Sequence, residues 1–167
     1  MASLMLYTAV AGRNPGMFIP AHVWVSRLVD GVGVLTWTND SAKPNFDDGT
    51  PEKGHYAAVL AALPQVAQRS SLVIIAKEKS TLWDPFKEGA EGPKRYHHRK
   101  PNGEPYKAEK LIRSIDDLAA AREITIVCRP PVSELEREML AQASDDAKAR
   151  RDAAEEALAK ADEKFPS

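Results

Sequence analysis

The run Ser71-Leu72-Val73-Ile74-Ile75-Ala76 places four large aliphatic side chains in succession, with no polar residue among them to face water. A strand with one solvated face alternates apolar and polar residues. An unbroken run of strand length belongs in the middle of a sheet covered on both sides, as parallel strands are. Parallel strands need helical crossovers, and the flanking sequence offers them. Upstream, Thr50-Pro51 supplies an N-cap followed by proline at the first helical position. Tyr56, Val59, Leu60, Leu63 and Val66 then fall on one helical face, with Pro64 expected to kink or end the helix. Downstream, Lys79 to Phe86 reads as a short helix. Pro105 opens another, whose stripe of Leu111, Ile112, Ile115 and Leu118 ends near Arg122. Glu123 to Cys128 is a further strand, closed by Arg129-Pro130-Pro131.

Leu4 to Ala11 is apolar and β-prone and stops at the turn-forming Gly12-Arg13-Asn14-Pro15-Gly16. His22 to Val29 and Val32 to Thr38 are two more strand-like runs. Between them stands Asp30-Gly31, a dipeptide suited to a tight antiparallel turn. At the other end Ser133 and Glu136 have capping-box spacing, and a long helix rich in Ala, Glu, Lys, Asp and Arg is expected from there to about Lys164. Leu135 and Met139 are placed to dock it on the sheet. Beyond Asp146 only alanines and Leu158 are apolar, so the distal part is expected to be solvated. The outcome is an α/β domain: a five-stranded mixed sheet, three strands antiparallel and the others parallel, flanked by helices. Residues 1–149 form the domain and 150–167 an exposed, charged extension of the last helix.

Bulk properties narrow the function. The 167 residues are 43% hydrophobic and 28% charged, which suits one globular domain. Net charge is -1, so any attraction for nucleic acid must come from a local patch. The single cysteine, Cys128, excludes an internal disulfide and sits in an apolar strand as a buried hydrophobe. With no leader-like amino terminus and no run long enough for a bilayer, a cytoplasmic protein without membrane contact is expected.

Short strings along this element order resemble type 1 ribonuclease H. Leu6-Tyr7-Thr8-Ala9 stands where that family has the strand carrying its first catalytic Asp, and Gly12-Arg13-Asn14-Pro15-Gly16 resembles the loop that follows. Gly54-His55-Tyr56-Ala57-Ala58-Val59-Leu60-Ala61-Ala62-Leu63 is similar to the helix bearing the catalytic Glu. Val73-Ile74-Ile75-Ala76-Lys77-Glu78 resembles the strand ending in the third acid. Pro93 to Lys100, ahead of a helix, resembles the basic protrusion with which some members grip an RNA/DNA hybrid. The resemblance runs to about residue 150 and implies the ribonuclease H-like fold.

Carried over one by one, the family's catalytic positions fall on Ala9, His55, Glu78 and either Asp145 or Asp146. Hydrolysis by two metal ions needs carboxylates holding hard cations about 4 Å apart. Ala9 has no ligand atom, and it occupies the place of the Asp that bridges the metals. His55 is a poor Mg²⁺ ligand, though suited to Zn²⁺ or Mn²⁺. Glu78 and Asp145 remain as weak metal ligands, and the family's loop with a catalytic His is shortened here to Arg129-Pro130-Pro131-Val132, without His. The resemblance therefore implies a domain whose carboxylate cluster is degenerate and which needs no cofactor, with Mg or Mn required only if the remnant site works.

The densest basic run, Lys94, Arg95, Tyr96, His97, His98, Arg99 and Lys100, mixes phosphate-binding charge with an aromatic stacking surface. Three functions follow from the resemblance and this run. The chain is expected to be a non-hydrolytic module binding RNA/DNA hybrid or RNA through residues 94–100. The second is a protein-interaction or inhibitory scaffold using the last helix or Trp83, Pro85 and Phe86. The third is a metal-dependent ribonuclease built on His55, Glu78 and Asp145.

Overall fold

The computed structural model describes residues 3–12, 22–40, 51–77, 80–87 and 108–164. In chain order they form β1 (Ser3–Gly12), β2 (His22–Val29), β3 (Leu35–Asp40), α1 (Pro51–Ala62), a 3-10 turn (Leu63–Gln65) and β4 (Ser71–Ile75). The one-turn α2 (Trp83–Phe86), α3 (Glu109–Ala121), β5 (Thr125–Arg129) and α4 (Glu134–Lys164) complete the order. The sheet has five strands in the order β3-β2-β1-β4-β5. β1 pairs antiparallel with β2 and parallel with β4, β2 pairs antiparallel with β3, and β4 pairs parallel with β5. The Leu72–Ile75 run is thus internal, between β1 and β5. Among the described residues no helix is long and apolar enough to cross a membrane.

Side chains alternate between two covered faces of β1. Leu6 joins Val59, Leu72, Ile74, Ile112 and Ile115 in a layer under α1 and α3, while Tyr7, Ala9 and Ala11 join Val25, Ile75, Leu140, Ala143 and Ala147 under α4. The inner face of α4 is small at Ala143 and Ala147, so the helix can lie close against the alanines of β1. Pro51 opens α1 as expected. Helical bonding stops at Ala62, because Pro64 has no N–H to continue it, and the chain tightens into a 3-10 turn. Cys128 is buried in the α1 layer, and burial pushes its thiol up to about 12.

Four local expectations are corrected. The β2–β3 turn is wider than two residues: Asp30 N–H donates to the Val34 carbonyl, and the Asp30 carboxylate accepts the N–H groups of Val32 and Val34. The left-handed position falls on Gly33 (φ +88°), so β3 starts at Leu35 and reaches Asp40. Glu123 does not begin a strand. At φ +56° it closes α3, with Glu123 N–H bonded to the Ala120 carbonyl and Ile124 N–H to that of Ala119, a Schellman motif without glycine. Leu135 is half exposed rather than docked, and Met139 with Leu140 makes the contact instead. The short helix expected over 79–86 amounts to the single turn of α2, and its Pro85 and Phe86 are buried.

Candidate functional site

β1 runs five residues past its pairing with β4, from Thr8 to Gly12, so residues 8–12 lie beyond the carboxyl ends of the parallel strands. In open α/β sheets ligands bind at that end. Ala9 is there, 6% exposed, with its methyl group in the apolar layer under α4. Its neighbour Thr8, 3% exposed, faces the opposite way, and its hydroxyl lies 3.0 Å from Nδ1 of His55 on α1. The α1 position and the β1 strand therefore do meet, through Thr8 rather than Ala9, by a hydroxyl–imidazole hydrogen bond.

Asp145 is exposed. It stands two residues from both Ala143 and Ala147, which a helix places on the side away from the sheet. Its neighbour Asp146 is turned inward instead, accepting a hydrogen bond from Arg27 Nη2 at 3.4 Å and another from Gln142 at 2.9 Å. Glu78 and the basic run 94–100 lie outside the described residues. Among the described residues no group of three or more His, Cys, Asp or Glu side chains is placed to hold a metal ion. The described donors at these positions, an imidazole bonded to a threonine, the outward carboxylate of Asp145 and the carboxylate of Asp146 already paired with Arg27, do not by themselves make a two-metal centre.

Two charged clusters were not anticipated. Ala9, Val25 and Asp40 form one row across β1, β2 and β3, which places Asp40 about 10 Å from Ala9 at ordinary strand spacing. Asp40 is bridged by Arg27 and, at 3.1 Å, by Arg150, while Arg27 also reaches Asp146. Asp40 and Asp146 are thus paired with two guanidinium groups that tie β2 and β3 to α4. The sequence held a signal for this: Arg27 shares strand parity with Val23, Val25 and Val29, and an inward-facing arginine requires an acid. Further along, Arg151 Nη1 donates to the Gly12 carbonyl at 3.3 Å, closing α4 over the end of β1.

The second cluster caps the start of α4. Ser133 Oγ accepts Glu136 N–H at 3.1 Å, as the spacing predicts. The Glu136 carboxylate does not return to Ser133. It accepts the N–H of Val132 at 2.9 Å and pairs with Arg129 through both oxygens, at 2.7 and 3.0 Å. The Arg129 hydrogen bonds, aided by the Val132 N–H, hold the Glu136 carboxyl below the usual range against the opposing effect of burial. Burial, with the Glu136 charge adding to it, raises the hydroxyl of Tyr7 beneath this pair.

Trp83, another candidate contact, is partly buried and its indole N–H donates to the Lys77 carbonyl at 2.8 Å.

No protein-family model and no curated protein sequence matches the chain. Solved structures do. The N-terminal RNase H domain of Rv2228c from Mycobacterium tuberculosis is 12% identical with a TM-score of 0.60, the match covering 95% of this chain and 99% of that one. A foamy viral protease-reverse transcriptase in complex with dsDNA is 14% identical with a TM-score of 0.57, covering 87% and 92%. LC11-RNase H1 in complex with an RNA/DNA hybrid is 14% identical with a TM-score of 0.53, covering 86% and 92%. At such identities the likeness is one of architecture, and it matches the mixed sheet, crossover helices and long last helix described above. The chain has the ribonuclease H-like fold.

Proposed function

We propose that this chain is a ribonuclease H-like module that binds nucleic acid, RNA/DNA hybrid or RNA, without hydrolysing it. The observation that carries the reading is the Thr8–Ala9 pair: the β1 side chain that meets His55 is a threonine, and where the resemblance puts the acid that bridges two metals a methyl group packs into the apolar layer under α4. An aspartate there would have to be desolvated among Tyr7, Ala143 and Ala147. The other described positions support the same reading, since His55 is engaged with Thr8, Asp145 faces outward and Asp146 is paired with Arg27.

Binding is supported by two things. LC11-RNase H1, of the same fold, was solved on an RNA/DNA hybrid, and the foamy viral enzyme on dsDNA. This chain carries its own basic, aromatic-containing run at Lys94-Arg95-Tyr96-His97-His98-Arg99-Lys100. With a net charge of -1, that run is the concentrated source of positive potential.

The test is a salt titration of binding to labelled hybrid, duplex and single strands. Binding should weaken linearly on a log–log salt plot. Replacing Lys94, Arg95, Arg99 and Lys100 together by Ala should reduce the slope by about 3 to 4, roughly one per lost phosphate contact. Absence of binding at low salt, or a slope indifferent to the fourfold change, would remove the proposal.

A further inference from the structure

The large hydrophobic side chains that the described residues leave exposed lie on the β2–β3 loop, the start of β3 and the start of α4. Val32, Val34, Leu35, Val132 and Leu135 are between 49% and 84% exposed. The two segments touch: a Cβ added at Gly33 would lie 3.3 Å from Leu135 Cδ2. The irregular register between Leu28 and Val29 pairs Leu35 with Val29, whose side chain belongs to the α4 layer, so Leu35 turns toward the side on which Leu135 stands. Together the five present on the order of 500 Å² of apolar surface, as large as the largest patch on a typical monomer.

The same corner holds a sheet edge that no other described strand pairs with. β3 is the end strand of the sheet formed by the described residues, and its Leu-Thr-Trp-Thr-Asn-Asp sequence has no lysine or proline to discourage pairing. We propose that this patch, with the β3 edge beside it, is the interface of a two-fold homodimer.

Size and charge favour a second copy as the occupant. Two such patches meeting bury about 1,000 Å², the lower bound of specific interfaces, and backbone pairing along β3 adds to it. The α4 residues around Leu135 carry both signs, Glu134 and Glu138 beside Arg137. A two-fold axis can set those opposite charges against each other, whereas a rim of one sign would repel its own copy.

Sedimentation equilibrium of the full chain from about 1 to 100 µM reads the outcome, since that range spans micromolar dissociation constants. The wild type should be a dimer. Val32→Glu and Leu135→Glu, both at exposed positions, should each weaken dimerisation at least tenfold while leaving the thermal melt of the monomer cooperative. A wild type monomeric throughout the range overturns the proposal, including a monomer that engages a different protein through this patch. So does a dimer that neither substitution affects.

Discussion

Glu136→Gln is the substitution whose cost the structure defines most closely. The side chain is 10% exposed, and its two oxygens serve three donors: both arms of Arg129 and the Val132 N–H. Glutamine keeps the volume, the helical position and the backbone N–H that Ser133 caps. It removes the charge and replaces one acceptor by an NH₂ group facing a guanidinium. A hydrogen bond to a charged group contributes about 1.5–3 kcal/mol, and breaking a fully buried ion pair costs about 3–5. The Arg129 side chain is 31% exposed and can recover part of its solvation, which lowers the figure. The expected loss is about 2 kcal/mol at neutral pH.

That loss should depend on pH. The folded-state pKa of Glu136 is depressed, first by the Arg129 hydrogen bonds and then by the Val132 N–H. Its contribution is therefore complete above the unfolded glutamate value of about 4.3 and disappears as pH falls through the lower folded value. Urea unfolding at pH 7 and at a series of pH values below about 4 measures the difference between wild type and Glu136→Gln. The two curves should converge as the acid limit is approached. A difference under about 0.5 kcal/mol at pH 7, within the scatter of ordinary surface changes, or one that stays constant into strong acid, would refute the assignment of that energy to the ionised pair.

Glu123→Gly should stabilise the protein by about 0.5 kcal/mol, because relief of the left-handed strain outweighs loss of the exposed ion pair with Arg69. Glu123→Ala, which keeps the strain and loses the pair, should destabilise it, and denaturant midpoints distinguish the two. Ala9→Asp should cost about 2–4 kcal/mol, since a carboxylate enters the apolar layer under α4; a variant as stable as wild type would mean that the position has access to water. Cys128 should react with a thiol reagent only at the rate of unfolding, because its thiolate is both buried and disfavoured; fast labelling of the native protein would contradict its placement.

What the sequence revealed and what it concealed divide along physical lines. The Leu72–Ile75 run, Pro51 and Pro64 around α1, and the Ser133 half of the Ser133–Glu136 capping box act locally, and each appears where its chemistry predicts. Glu123 at a left-handed position and the Asp30 carboxylate serving two N–H groups are local too, but glycine would have announced the first, and Gly33 rather than Gly31 takes the positive φ. The charged clusters depend on contacts between residues far apart. Arg27 meets Asp146 across 119 residues, and a sequence window sees neither. The same distance blurred the choice at the end of the site: Asp145 and Asp146 are equivalent as letters, and only the docking of Ala143 and Ala147 decides that Asp146 turns inward. The sequence shows an alanine at the position the resemblance gives to the bridging acid, but its place in the packing under α4 was not legible.

The most direct measurement incubates labelled RNA/DNA hybrid with the protein in Mg²⁺ and, separately, in Mn²⁺, and follows retention and cleavage in the same sample. The expected result is hybrid bound and intact in both metals. Cleavage lost on changing Glu78 to Gln would contradict it and establish a working metal site.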